Sequence, residues 1–453
     1  LRGILYQIEE DEHVLVLVFH HAILDGWSME ILLQELSKLY QHFHTGKIVD
    51  LPATLHYIDF SSWQQSCLTD EMVERQLAYW QERLGSVDKV LHLPYDKPRP
   101  ARLSYQAGVY ERVLSKDLVD GLWGIGEAQQ ATLFMVLLAG WVGLLHRYTG
   151  QADIVVGTPV SNRQVSGSET IVGPLINLLA LCTSCEGRLS LIELLGRVRE
   201  TVLSGYEHQD VPFEQVVERL AVERVWNYHP VFQIMLVWQT VEEGTIELPD
   251  IAVKDITPAS EFAKFDITLW AREEGGEIKL QFEYAKDVLE AGTVERMAAH
   301  LEKFLKGMVE DSSQQVSEVL LMEEEEEQKI LDTWSRGKFL PVPKEPVHRL
   351  FEARVREMPS SIAIYEQERE ISYRLLNQRA NGIAYGLVER GVKRGDVVGI
   401  YGKRNGWMVS SLLGILKAGA SYVPLERDYP TERLKYMLED SGAVGIIITD
   451  DSY

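Results

Sequence analysis

The chain has 453 residues, 45% of them hydrophobic and 25% charged, which exceeds one hydrophobic core of ordinary size and implies two or more globular domains. A formal net charge of -23 argues against nucleic acid or an anionic membrane surface as a partner, because both are recognised through clustered cations. Three cysteines, Cys67, Cys182 and Cys185, cannot build a disulfide framework, and their scarcity fits a reducing cytoplasm.

The chain opens with an apolar run, Val14 to Phe19, that is too short for a helix and too uniform for a one-sided sheet edge, so a strand covered on both faces is expected. His20 and His21 meet solvent at its end. Asp25-Gly26 gives a turn signal, and Ser28 stands before a helical pattern in which Met29, Ile31, Leu32, Leu36 and Leu39 share a face. Strand, histidine loop and helix make a layout suited to a site, with Gly26 allowing close backbone approach and an imidazole free to be oriented. Spacing alone favours the plainer reading, since a histidine at a strand end is more often structural.

Further along, Tyr57 to Trp63 precedes a helical pattern over Met72 to Leu84. The stretch Leu91 to Gly108 is rich in proline and must be irregular or extended, because each proline removes a donor and restrains its predecessor. The apolar run Ala131 to Leu145 is shorter than a bilayer span and reads as a buried core helix, continuing to Tyr148. Ile154 to Val156 form a buried strand, and neither Gly157-Thr-Pro159 nor Ser166 to Thr170 is followed by the Gly-Lys-Ser/Thr of a phosphate loop.

Within the apolar segment Ile171 to Leu181, Asn177 needs hydrogen-bond partners if buried, an unpaired amide costing ~1–3 kcal/mol. Cys182-Thr-Ser-Cys185 has neither four ligands for zinc nor a thioredoxin-like setting, so no metal site is assigned. A helix over Leu191 to Tyr206 runs into His208, Gln209 and Asp210. These suggest acid-base chemistry, but Pro212 and Glu214 at the start of a new helix fit simple capping better.

Lys264 to Trp270 and Glu277 to Leu289 alternate as strands around a Gly275-Gly276 turn, and a helix over Thr293 to Val309 closes the unit. The acid run Glu323 to Glu327 reads as a solvated helix face, and Pro341, Pro343 and Pro346 as a stiff connection. From Val347 the chain restarts with α/β alternation: strands at Ile362 to Tyr365 and Val397 to Ile400, and a helix over Tyr373 to Leu387.

Taken together, these strings carry a resemblance. HHAILDGWS, residues 20–28, resembles the HHxxxDG signature of condensation domains in nonribosomal peptide synthetases, relatives of chloramphenicol acetyltransferase. YIDFSSW (Tyr57, Asp59, Trp63) resembles YxDYAxW, LPYDKPRP the crossover motif LPxDxPRP, GTPVSNR with Arg163 the motif GTPxxNR, and HQDVPFE (His208, Gln209, Asp210) the motif HQDxPFE. RVWNYHPVFQ keeps Arg224, Pro230, Phe232 and Gln233 of RDxSRNPLFQ but has Val225 and Asn227 for its aspartate and serine. GPLINL keeps the glycine and asparagine of GxFVNT and loses its phenylalanine and threonine. ISYRLL and LKAGASYVPL resemble the first two motifs of adenylation domains, with ERDYP in place of DPxYP.

The resemblance implies an α/β, chloramphenicol acetyltransferase-like two-lobed condensation fold over residues 1–309 with its N-terminal lobe truncated, a linker over 310–346, and the truncated α/β start of an adenylate-forming domain over 347–453. It implies that His21, next to His20 and Gly26, lines a tunnel where an amine attacks a thioester, while Asp25 holds the loop through an ion pair. Trp27, Ser28 and Asn177 are expected on the substrate path, and the remaining motif residues are architectural. The implied reaction is amide formation between a carrier-bound acyl or peptidyl thioester and a carrier-bound aminoacyl group. No cofactor is expected on the chain itself, the substrates riding on phosphopantetheine of upstream and downstream peptidyl carrier domains. The rest of an adenylation domain is the other expected partner, and amino-acid activation is not expected of these residues alone. Two further readings stay open: an epimerisation domain, which shares the histidine string, and a noncatalytic docking module.

Overall fold

The structure is a computed structural model and describes residues 1–449 except 47, 49–50, 52–53, 186–187, 223–224, 226, 240–245, 247, 255, 257–261, 339–341 and 367–368. The chain divides into two units, Leu1–Leu331 and Asp332–Tyr453.

The first unit begins with an antiparallel hairpin of β1 (Arg2–Gln7) and β2 (His13–Val18), followed by helices α1 (Gly26–Thr45), α2 (Tyr57–Cys67) and α3 (Asp70–Leu84). Then come β3 (Ala107–Leu114), α4 (Lys116–Gln129), α5 (Leu133–Thr149), β4 (Asp153–Val160), β5 (Asn177–Ser184), α6 (Leu191–Glu207) and α7 (Phe213–Arg219). Strands β6 (Ile234–Gln239), β7 (Ile267–Glu274) and β8 (Glu277–Ala285), and helices α8 (Ala291–Glu310) and α9 (Glu324–Gln328), complete it. Among the described residues one sheet of the unit runs β3-β8-β7-β6-β4-β5, with β6 parallel to β4 and β7 and the other pairs antiparallel.

Local chemistry explains most of these elements. Thr132 caps α5 by accepting the Met135 N–H at 3.3 Å, and Gly150 ends it at φ 71°. Every residue from Met135 to Leu145 is buried, as expected of a helix apolar on all sides, and α6 and α8 pack against it. Ser190 and Glu193 form a capping box at the start of α6. Gly275 and Gly276, at φ 63° and 85°, close the β7–β8 turn, so the expected hairpin is present. Among the described residues no single helix is long and apolar enough to cross a membrane.

Three expectations are corrected. The strand at the N-terminus ends at Val18 and is not covered on both faces: Leu15, Val16 and Val18 are exposed and Val14 and Leu17 half-buried, with β1 and β2 pairing only with each other among the described residues. Leu36 and Leu39, expected on the inner face of α1, are exposed as well. Residues 311–320 do not form a free connection. Val316 N–H donates to Leu189 O, Leu191 N–H donates to Gln314 O, and Arg147 Nη1 donates to Val316 O and Val319 O, so this strap is packed onto the first unit with Val316 and Val319 buried. The acid run faces solvent as expected, with no residue of α9 buried, but Glu323 lies 3.0 Å from Lys303 Nζ and Glu326 lies 3.1 Å from His300 Nε2 on α8. Pro341 lies outside the described residues.

The second unit holds α10 (Val347–Glu357), β9 (Ile362–Glu366), β10 (Arg369–Ser372), α11 (Tyr373–Glu389), β11 (Val397–Tyr401), α12 (Gly406–Lys417), β12 (Ser421–Leu425), α13 (Thr431–Ser441) and β13 (Gly445–Ile448). Strands β12 and β13 flank β11 in parallel, the α/β alternation expected from the sequence. Val398, Ile400, Ile415 and Ala420 form its buried centre.

Candidate active site

The histidine loop is built from its far end. Asp25, not Ser28, is the N-cap of α1: its carboxylate accepts the Ser28 N–H at 2.9 Å, and Gly26 and Trp27 already lie in the helix. Both residues are of capping type, and the choice between them rests on which N–H groups need an acceptor. Gly26 does not serve close approach either, since a Cβ there would meet nothing within 4 Å.

Beneath the loop lies a buried polar hub. Arg163 Nη2 stands 2.9 Å from Asp25 Oδ1 and 3.0 Å from Oδ2, and Arg163 Nη1 donates to Ser168 O at 2.8 Å and Ile171 O at 2.7 Å. The Ser28 hydroxyl contacts Asp25 Oδ1 at 2.6 Å and accepts the Gly173 N–H at 2.9 Å, while Asp25 Oδ2 accepts the Leu175 N–H at 3.1 Å. The ion pair that the resemblance implied for Asp25 is therefore present, with Arg163 as its partner. Both charges are withdrawn from water, and nearly all of their hydrogen-bonding capacity is used, which is what a buried pair requires.

Trp27 is half-buried, its Nε1 donating to Glu169 O at 2.9 Å and its ring centroid 5.8 Å from the Arg163 guanidinium carbon. Trp27 and Ser28 thus face the protein, although the sequence placed them on a substrate path. His20 and His21 are exposed. His20 Nδ1 accepts the Ala22 N–H at 3.1 Å, which fixes that ring and leaves Nε2 outward. His21 makes no side-chain hydrogen bond among the described residues, so its imidazole is open to an incoming group on a loop whose base is held.

The remaining motif residues brace this arrangement. The Tyr57 ring lies so close to Gly173 that a Cβ there would fall 2.4 Å from it. Phe60, one turn on, packs with Ile171 and Leu175, and the Trp63 ring lies tilted against Phe60 with centroids 5.5 Å apart. Asp59 is exposed in the first turn of α2, complementing the helix dipole. Asn177 finds the partners it needed: Nδ2 donates to Gln209 O at 2.8 Å and Val211 O at 2.9 Å, and Oδ1 accepts from Leu178 N–H and Phe213 N–H. That saturated amide pins β5 to the turn before α7 and has no donor left for a substrate.

His208 stacks on Tyr79 at 3.9 Å with its ring against Ser204 O, Gln209 Nε2 donates to Tyr206 O, and Asp210 accepts from Gln76 Nε2 at 2.7 Å. None of these side chains caps α7, whose N-cap Pro212 makes no side-chain cap hydrogen bond, while Glu214 stands in its first turn. Arg224 lies outside the described residues.

Sequence reasoning missed three contributors. Gln76, in a polar helix, is buried and clamps residues 210–211 through both ends of its amide. Gly173 was marked as the glycine kept from GxFVNT, but its close approach to the Tyr57 ring was not. His229 sits among Phe213, Phe232 and Phe265, where burial lowers its pKa to about 4 against a weaker opposing bond to the Phe232 backbone. Burial pushes the Cys182 and Cys185 thiols up to about 12, so neither is a reactive thiolate. Among the described residues no group of three or more His, Cys, Asp or Glu is placed to hold a metal.

A mixed sheet packed with helices, joined to a solvent-facing histidine loop locked by a buried ion pair, defines an α/β domain with a candidate site at its surface. The condensation domain model matches residues 1–331 and the AMP-binding enzyme model matches residues 351–453. A linear gramicidin synthase polypeptide of Brevibacillus parabrevis is 36% identical over 447 residues, covering 98% of this chain and 6% of that protein. Malpibaldin synthetase of Mortierella alpina is 36% identical over 453 residues, covering 100% and 8%. Among solved structures, a four-domain nonribosomal peptide synthetase bound to AMP and glycine superposes with a TM-score of 0.75 at 26% identity, covering 99% of this chain and 35% of that one. The X-domain from teicoplanin biosynthesis gives 0.66 at 26%, covering 71% and 74%. The chain belongs to the condensation domain family, with the start of an AMP-binding domain following it. It spans only a small fraction of the length of the curated synthetases it matches.

Proposed function

We propose that the first unit, with residues 311–320 packed onto it, catalyses amide formation between two carrier-bound substrates and is connected onward to the start of an adenylation domain over residues 347–453. The observation that carries this reading is the contrast within one loop: His21 is exposed and makes no side-chain hydrogen bond among the described residues, while Asp25, four residues on, is buried in an ion pair that holds the loop. The upstream thioester is already activated, so the protein must place a neutral amine and take up one proton. The amine nitrogen attacks the thioester carbonyl, the C–N bond forms as the C–S bond breaks, and the thiol leaves on the phosphopantetheine arm of the donor carrier. His21 accepts the amine proton and returns it to the departing thiolate sulfur, or holds the amine by a hydrogen bond while the proton passes to sulfur, and His20 supports the loop beside it. Tethering both partners makes the step effectively unimolecular, worth on the order of several kcal/mol.

The partners are upstream and downstream peptidyl carrier domains and the rest of the adenylation domain, and the setting proposed is the cytoplasm. An AMP-binding start downstream supports elongation by condensation over epimerisation, as does the string Asp25-Gly26-Trp27-Ser28. The test is to incubate the purified chain with a donor carrier bearing an acyl group and an acceptor carrier bearing an aminoacyl group, and to release the products for mass spectrometry. A new amide on the acceptor carrier is expected. Inversion of the α-carbon without amide formation would assign epimerisation, and carrier binding without either reaction would leave a docking module.

A further inference from the structure

The hydroxyl of Ser28 is saturated. It offers one proton and two lone pairs. The proton lies toward Asp25 Oδ1 at 2.6 Å, a charge-assisted bond, one lone pair receives the Gly173 N–H at 2.9 Å, and the other faces Arg163 Nη2 at 3.0 Å, whose two N–H groups are shared with the Asp25 carboxylate. Gly173 O lies 3.0 Å from the same hydroxyl and 3.2 Å from Arg163 Nη2, the longest contact of that nitrogen. Ser28 has no exposed surface, so this pattern has no exchange with water.

The consequence reaches across the fold. Residues 173–175 hang from Ser28 and Asp25, the two side chains that start α1, and Leu175 also packs beneath α2 with Phe60 and Ile171. Two residues further on, Asn177 fastens the chain to residues 209–213. Ile176, between these two anchorages, is 43% exposed. The histidine loop and the exposed segment at Ile176 are therefore parts of one braced body whose joint is the Ser28 hydroxyl.

We propose that Ser28 is a positioning residue for amide formation, setting where the histidine loop stands relative to residues 173–176 without touching substrate. This rests on the condensation reading given above. Removing the hydroxyl leaves the Gly173 N–H without its acceptor in a buried site and frees the two segments to shift, while no exposed side chain is altered.

The test uses the full chain with loaded donor and acceptor carriers, and separately with histidine labelled at Cε1 for NMR. Ser28→Ala is expected to lower kcat by ~10–100-fold, the scale of an ångström misplacement, with KM for either carrier within about threefold. Its His20 and His21 resonances should move, while His300, hydrogen-bonded to Tyr148 and Glu326 elsewhere in the unit, stays in place. Gly173→Ala, which leaves Ser28 intact but drives residue 173 off the Tyr57 ring, should move the same two resonances and serves if Ser28→Ala does not fold. Unmoved His20 and His21 signals in the folded variant, or an unchanged kcat in Ser28→Ala, would overturn the proposal. If the wild-type chain makes no amide, the reaction assigned above fails, and the resonances still decide whether Ser28 positions the loop.

Discussion

Arg163 Nη2 reaches both carboxylate oxygens of Asp25, at 2.9 and 3.0 Å, across 138 residues of chain, and the two side chains are 1% and 3% exposed. One nitrogen is shared between two oxygens, so the usual side-by-side fork is not formed. The other guanidinium nitrogen is spent on the carbonyls of Ser168 and Ile171, and Arg163 Nε is left buried without a partner. The pair fixes two loops more than it adds net stability, because the desolvation of both charges offsets their attraction.

Deleting one side of that pair strands the other charge. Asp25→Ala and Arg163→Ala should each lose about 3–5 kcal/mol of stability, read from urea unfolding followed by fluorescence. Asp25→Ala should lose amide formation together with folding. A well-folded, inactive Asp25→Ala chain would contradict a structural role for the carboxylate.

His21→Ala should behave in the opposite way. The ring is exposed and unbonded among the described residues, so the thermal midpoint should stay within about 2 °C of wild type. Amide formation should fall by ~10²–10⁴-fold if the imidazole carries the proton. Near-normal product yield from this variant would remove His21 from the mechanism.

His229 gives the first unit a pH dependence. Burial holds its pKa at about 4 in the folded chain against 6.5 for the free side chain, so between those values the unfolded chain binds the extra proton. Stability contributed by the neutral ring is complete above pH 6.5 and is lost as the pH falls towards 4, by about 3 kcal/mol at most. His229→Leu should flatten that part of the urea-midpoint profile between pH 7 and 4. An unchanged slope in the variant would assign the pH dependence to other groups.

Gly173→Ala should cost about 1–3 kcal/mol, because the new methyl meets the near edge of the Tyr57 ring and not a flexible tip. Tyr57→Ala should make the same substitution milder, with a coupling of about 1 kcal/mol or more in a double-mutant cycle. Additive effects would mean that the ring and residue 173 adjust independently.

Asn177→Asp should loosen the turn before α7. It replaces two N–H donors with oxygen facing the carbonyls of Gln209 and Val211. Faster amide exchange confined to residues 209–213 is expected, and protection equal to wild type would show that Gln76 holds the turn alone.

Elements whose signal is local were legible in the sequence. Helices α3, α5, α6 and α8 follow from apolar spacing, and the β7–β8 hairpin from two adjacent glycines, because side chains close in sequence decide both. The histidine string marked the loop and named Asp25 as its holder. The burial of the first strand was misjudged, since an apolar run reports a preference for burial and cannot report whether another element arrives to satisfy it. The strap at residues 311–320 was taken for linker because its polar residues hide two valines that seal the first unit.

By itself, then, the sequence determined the helices and strands whose signal is local, the position of the histidines and the resemblance to the family. Only the tertiary structure decided that Ser28 and Asn177 are braces with their hydrogen bonds spent inside the protein, that Gln76 and His229 belong to the same scaffold, and that residue 173 must lack a side chain. The physical reason is distance along the chain. Helix and turn preferences act over a few residues, whereas a buried hydroxyl or amide is satisfied by whichever groups the fold delivers, here from as far as 145 residues away.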